Sequence, residues 1–151
     1  MNIYVASSWR NEERQQMVVK RLRALGHKVY DFRHPTPGDH GFHWSEIDPE
    51  YKEWDGSRFR ARLNHPVAID GYCKDMGALQ KCDVCILVLP CGRSAHIEAG
   101  WAAGAKKLVA VLLDGQLEPE LMYKMLDSIC VNMEELIEWL QDVSEGGTIA
   151  S

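Results

Sequence analysis

The chain has 151 residues, one domain's worth, which is long enough to bury a single apolar core. Hydrophobic residues make up 46% and charged residues 26%, as in ordinary globular proteins; no apolar run reaches the ~20 residues that span a bilayer, and no signal-peptide pattern opens the chain. A formal net charge of -5 argues against nucleic-acid polymers and anionic membranes as partners, and five cysteines, an odd number without scaffold spacing, point to reduced thiols in a cytoplasm.

Residues 3–6 read as a short apolar strand, ended by Ser7, Ser8 and Trp9. Over 12–25 the recurrence of Val18, Leu22 and Leu25 predicts a helix, with Gly26 as its natural stop. A second strand is expected at 28–32. The stretch 34–66 then breaks the rhythm with repeated Pro and Gly, and it also holds Phe42, Trp44, Tyr51, Trp54 and Phe59. Insertions this long are usually functional or disordered, and aromatic content favours an ordered one. Its rings could form a local mini-core or a stacking wall for a planar ligand.

Residues 67–81 read as a helix in spite of Gly71 and Gly77. The run 84–89 is apolar at every position and is expected to be buried on both faces of a sheet. A helix over about 95–105 follows, then another two-sided strand at 108–113. A short helix around 118–126 leads to a weak last strand at 128–131. Asn132 caps a terminal helix, with Glu135 placed to complete a capping box before Leu136 and Leu140. The polar and small residues after Val143 are expected to fray.

Strand and helix alternate throughout. The expectation is an α/β fold over 1–151, a single-domain doubly wound parallel sheet of about five strands, flavodoxin-like or Rossmann-like, with helices on both faces. Such sheets bind ligands at the carboxyl ends of their strands, near the point where strand order reverses. The turn after the first strand, the turn after Leu89 and the helix before Asp83 are therefore expected to meet.

The turn after Leu89 offers Cys91, Gly92, Arg93, Ser94, His96 and Glu98. Gly92 would let the chain turn sharply and Ser94 would cap the next helix. Glu98 would then stand in the first turn, where the helix dipole favours its ionised form. On these residues alone, a catalytic carboxylate and a simple dipole partner are equally good readings. Asp70 and Asp75 lie on the preceding helix, where surface solvation is the commoner explanation; Asp83 belongs to the amino end of its strand, the wrong side for catalysis. Ser7, Ser8 and Arg10 ahead of a helix suit an anion, though capping explains them equally well. No glycine-rich dinucleotide fingerprint or Walker loop occurs. Cys82 and Cys85 would face opposite sides of a strand, and His34, His40 and His43 have no companion ligands, so neither metal nor cofactor is expected.

Three stretches, "IYVASSWRNEE", "DMGALQKCDVCILVL" and "GRSAHIEAGWAAGAKK", resemble the nucleoside 2-deoxyribosyltransferase superfamily, which includes nucleotide N-glycosidases. The first resembles that family's first strand and serine turn. The second resembles its Asp eight positions before the Asp of the central strand, and the third its small-residue turn followed by Glu-x-Gly. The insertion 34–66 is unmatched. The resemblance implies cleavage or transfer at the N-glycosidic bond of a nucleoside, deoxynucleoside or nucleoside 5′-monophosphate. It makes Glu98 the nucleophile, Asp75 its acid/base companion, and Tyr4 a neighbour of the nucleophile. Ser8 and Arg10 would bind a 5′-phosphate. The serine that some nucleotide-specific relatives use for phosphate falls at Gly92, leaving Ser94 as the available hydroxyl, with His96 in the same substrate-facing turn. Trp44 and Trp54 are the leading aromatic contacts from a covering insertion, and pockets completed across subunits imply a homo-oligomer, at least a dimer. A TIR-like NAD hydrolase and a non-catalytic nucleotide-binding domain are the alternatives.

Overall fold

A computed structural model describes residues 1–115 and 118–146. The chain divides into two compact units, Met1–Tyr30 with Lys81–Ser151, and Asp31–Gln80. Five parallel strands form the sheet of the first unit: β1 (Asn2–Ala6), β2 (Lys28–Tyr30), β3 (Val84–Val88), β4 (Leu108–Leu112) and β5 (Ser128–Cys130). The helices in chain order are α1 (Glu12–Ala24), α2 (Gly56–Arg62), α3 (Pro66–Lys81), α4 (Arg93–Gly104) and α5 (Met133–Ser144). The strand order β2-β1-β3-β4-β5 is doubly wound, and its direction reverses between β1 and β3.

Side-chain alternation decides the layers. Ile3, Val5, Val84, Ile86, Val88, Ala110 and Leu112 point to one face and pack with Val18, Val19 and Leu22 of α1 and Leu136 and Leu140 of α5. The other face receives α4 across β1, β3 and β4. Its buried residues are Ala95, Ala99 and Ala102, small enough to bring the helix close to the sheet. Every residue of β3 is buried, as its unbroken apolar run predicts.

Local chemistry sets the ends. Gly26 takes φ +89°, a left-handed conformation that suits glycine after α1. Asn132 Oδ1 accepts the Glu135 N–H at 2.9 Å. The Glu135 carboxylate accepts from Val131 N–H at 2.9 Å, one residue before the partner a capping box would use. β2 ends at Tyr30, two residues earlier than expected, because the Asp31 carboxylate takes the Arg33 N–H at 3.0 Å and bends the chain. The helix expected over 118–126 is a 3-10 turn, Leu121–Met125; Pro119 disfavours helical backbone before it, and Glu120 caps the turn through Met122 N–H at 3.0 Å. The fraying expected after Val143 concerns mainly 147–151, which lie outside the described residues; α5 itself runs to Ser144.

The second unit contains the expected insertion and nearly all of α3. Two 3-10 turns, Trp44–Glu46 and Tyr51–Glu53, precede α2, which Asp55 caps through Arg58 N–H at 2.8 Å. Trp44 is the hub of an edge-to-face cluster, with ring centroids 4.7 Å from Phe42, 5.8 Å from Trp54 and 5.9 Å from Phe59. Trp54 Nε1 donates to Asp48 Oδ2 at 2.8 Å. Gly71 in α3 is explained by packing, because a Cβ there would stand 2.9 Å from Phe42 Cβ.

Candidate active site

The carboxyl ends of β1 and β3 are stitched by a side chain. Ser7 Oγ donates to Val88 O at 2.9 Å and accepts from Asn11 Nδ2 at 3.3 Å. Ser8 Oγ accepts the Arg10 N–H at 3.2 Å. Asn11 begins α1 without a side-chain cap, which leaves the helix N-terminus suited to an outside acceptor, although Glu12 and Glu13 bring negative charge to the same turn. Arg14, not singled out from the sequence, donates to Leu113 O and so carries a guanidinium to the carboxyl end of β4. A cation in the first turn after a strand is a weak sequence signal.

Two expectations for the next turn are corrected. A cis Leu89–Pro90 peptide opens it, and Gly92 sits at φ −104°, open to any residue, so glycine is not required for the turn. Ser94 is not the cap: α4 begins at Arg93, and Gly92 precedes it without a side-chain bond. Glu98 is thus the sixth residue of α4, past the first turn, where no acidic residue stands. The dipole falls off within the first turn, so it does not account for Glu98.

Glu98 is half-buried. Its charge is felt by two thiols. Burial, then the carboxylates of Glu98 and Asp114, push Cys91 up to about 12. Burial, with Cys82 and Glu98 adding to it, raises Cys85 well above the usual thiol range. Cys85 is wholly buried and pairs in register with Tyr4 across β1 and β3. Paired residues of parallel strands share a face, so Tyr4, Cys85 and the Glu98 helix lie on the same side of the sheet. Tyr4 is itself wholly buried, its ring stacked on Tyr30 at 5.3 Å.

His96 is held at both ring nitrogens, Nδ1 at 2.8 Å from Gly92 O and Nε2 at 2.8 Å from the Tyr123 hydroxyl. A carbonyl can only accept, so in the neutral ring Nδ1 carries the proton and Nε2 accepts from Tyr123. Tyr123 lies in an aperiodic segment and gave no sequence signal. The pair borders a cleft of about 360 Å³ at the carboxyl ends of β3 and β4, with Cys91, Asp114, Glu118 and Glu120 in its wall.

In the second unit Asp75 is half-buried and lines a cleft of about 470 Å³ with Asp39, His40, Phe42, Glu46, Asp70 and Lys74. Lys74 Nζ lies 2.7 Å from both Asp39 and Asp70. The Lys74 hydrogen bond, then the Gly41 N–H, hold the Asp39 carboxyl below its ordinary range. Trp44 and Trp54 do not line this cleft; Phe42 does. Both tryptophans are half-buried and pack edge-to-face on each other, 5.8 Å between ring centroids. Asp31 is buried, with Oδ2 at 3.1 Å from His34 Nδ1. His43 Nε2 approaches His40 O at 3.2 Å, and among the described residues no cluster of ligands suits a metal. Among them, too, no helix is long and apolar enough to cross a membrane.

No protein-family model and no curated protein matches the chain. Among solved structures, the fold is similar to that of the CMP N-glycosidase BcmB of Clostridium botulinum, with a TM-score of 0.50 and 17% identity over 92% of this chain and 97% of that one. At that identity the likeness is one of fold. The α/β architecture expected from the sequence is thus matched by that of a nucleotide-cleaving enzyme.

Proposed function

We propose that the chain is an N-glycosidase or deoxyribosyltransferase acting on a nucleoside, deoxynucleoside or nucleoside 5′-monophosphate through a covalent glycosyl-Glu98 intermediate. The observation that carries this reading is the position of Glu98: half-buried, beyond the reach of the helix dipole, and close enough to the sheet to perturb Cys85. The fold it shares with a CMP N-glycosidase supports the same chemistry. An N-glycosidic bond breaks through an oxocarbenium-like transition state, which an adjacent carboxylate stabilises and then captures. Water or a second base completes hydrolysis or transfer. Asp75 is the proposed acid/base for the departing base, from its place in the motif and in a cleft of its unit. Tyr4 shares the sheet face of α4, and Ser8, Arg10 and the start of α1 are proposed to take a 5′-phosphate, with Gly92 and Ser94 in the substrate-facing turn.

A homo-oligomer, at least a dimer, is part of the proposal. Ile97 and Trp101 of α4 and Leu121, Met122 and Met125 of the 3-10 turn are exposed, and a Cβ at Gly100 would meet Met125 Cε at 4.0 Å, so the two elements form one apolar surface. The deciding experiment incubates the protein with nucleosides, their monophosphates and NAD and follows released base by chromatography. Base release that Glu98→Gln abolishes supports the reading. Free nicotinamide from NAD would favour the NAD hydrolase, and nucleotide binding without turnover would favour a binding domain.

A further inference from the structure

We infer that Tyr123 is a positioning residue: through His96 it latches the Pro90–Gly92 turn, and with it the opening of α4 from which Glu98 projects. The kinetic part of this inference rests on the proposed role of Glu98; the geometric part does not.

Gly92 has no side chain with which to cap α4, and the first main-chain bond, His96 N–H to Gly92 O, is long at 3.4 Å. The His96 ring supplies a tighter tie to the same carbonyl, through Nδ1 at 2.8 Å. That tie needs an oriented ring. Tyr123 fixes it from the far side, hydroxyl to Nε2 at 2.8 Å, with the ring planes 14° apart. Tyr123 is itself only 9% exposed, and its backbone is bonded on both sides, N–H to Glu120 O at 3.3 Å and O from Leu126 N–H at 3.0 Å. The chain of bonds therefore runs from a fixed residue, through an imidazole of defined tautomer, to the carbonyl that starts the helix. An imidazole engaged at both nitrogens is not available to substrate, so His96 acts by orientation. Glu98 stands two residues further on. Nucleophilic attack is sensitive to displacements of about 1 Å, so loosening this turn should lower turnover more than binding.

Tyr123→Phe keeps the ring and removes only the hydroxyl. Its kcat should fall roughly fivefold to tenfold, the size of one lost buried hydrogen bond, with KM within about twofold. In 15N-labelled protein the His96 ring should carry its proton on Nδ1, and in Tyr123→Phe that signal should give way to a mixture of tautomers. His96→Asn breaks the same link and serves if Tyr123→Phe fails to fold. The double variant should be no worse than the weaker single, because the latch acts as a unit. A wild-type ring protonated on Nε2 would overturn the inference, as would unchanged kcat and tautomer in Tyr123→Phe. If the wild type turns over no glycoside, the role of Glu98 fails instead, and the imidazole signals still decide the latch.

Discussion

Ser7 Oγ and Val88 O, 2.9 Å apart, join the carboxyl ends of β1 and β3 where the strand order reverses. The β1–β3 pairing runs from Ile3↔Val84 to Ala6↔Leu87, and this bond extends it one step past the ladder through a side chain. The two strands that would otherwise splay are held together at the rim where ligands of this fold class bind.

Ser7→Ala should therefore destabilise the first unit. One part-buried hydrogen bond is lost and Val88 O loses its donor, a cost of about 1 kcal/mol. A urea titration should give a lower midpoint with unchanged slope. An unchanged midpoint would show that the stitch contributes nothing.

Gly71→Ala presents a sign test. In an open helix the change gains about 1 kcal/mol. Here the new Cβ meets Phe42 Cβ at 2.9 Å, an atom next to backbone that cannot swing aside. Overpacking of this kind costs roughly 1–3 kcal/mol, so the net effect should be neutral to destabilising. A clear rise in melting temperature would contradict the contact.

Much of this architecture is legible in the sequence because it follows from periodicity. The all-apolar run of β3, the Val18–Leu22 spacing of α1 and the Asn132 cap all depend on neighbours a few residues away. What was missed depends on distant partners or local competition. Asp31 shortens β2 by bonding its own backbone, and Ser94 misses the cap because α4 begins two residues earlier than a serine cap there requires. The aromatic residues of 34–66 advertise order without saying what they pack against. Tyr123 finds its partner 27 positions back in the chain, a relation no periodicity encodes.

Asp75→Asn separates the acid from the nucleophile. If Asp75 protonates the departing base, the variant should be mildly slowed for bases that leave readily and severely slowed for those that need a proton. A plot of log kcat against leaving-group pKa should be steeper than for the wild type. Parallel plots would remove Asp75 from that role.

The apolar surface of α4 and the Leu121–Met125 turn predicts self-association. Light scattering at micromolar concentration should give at least a dimer, and Ile97→Glu with Met125→Glu should give monomer with reduced activity. Fully active wild-type monomer would contradict the proposal.

Glu98→Gln should lower kcat by several orders of magnitude, on the order of 4 kcal/mol or more in barrier, while the fold persists. The most direct test of the central claim is to trap the intermediate. A 2-fluoro-arabinosyl nucleoside slows release of the sugar, so brief incubation followed by peptide mass spectrometry should find one sugar-sized adduct on the Glu98 peptide, absent in Glu98→Gln. An adduct on another residue, or a true substrate cleaved by Glu98→Gln at the wild-type rate, would contradict the account.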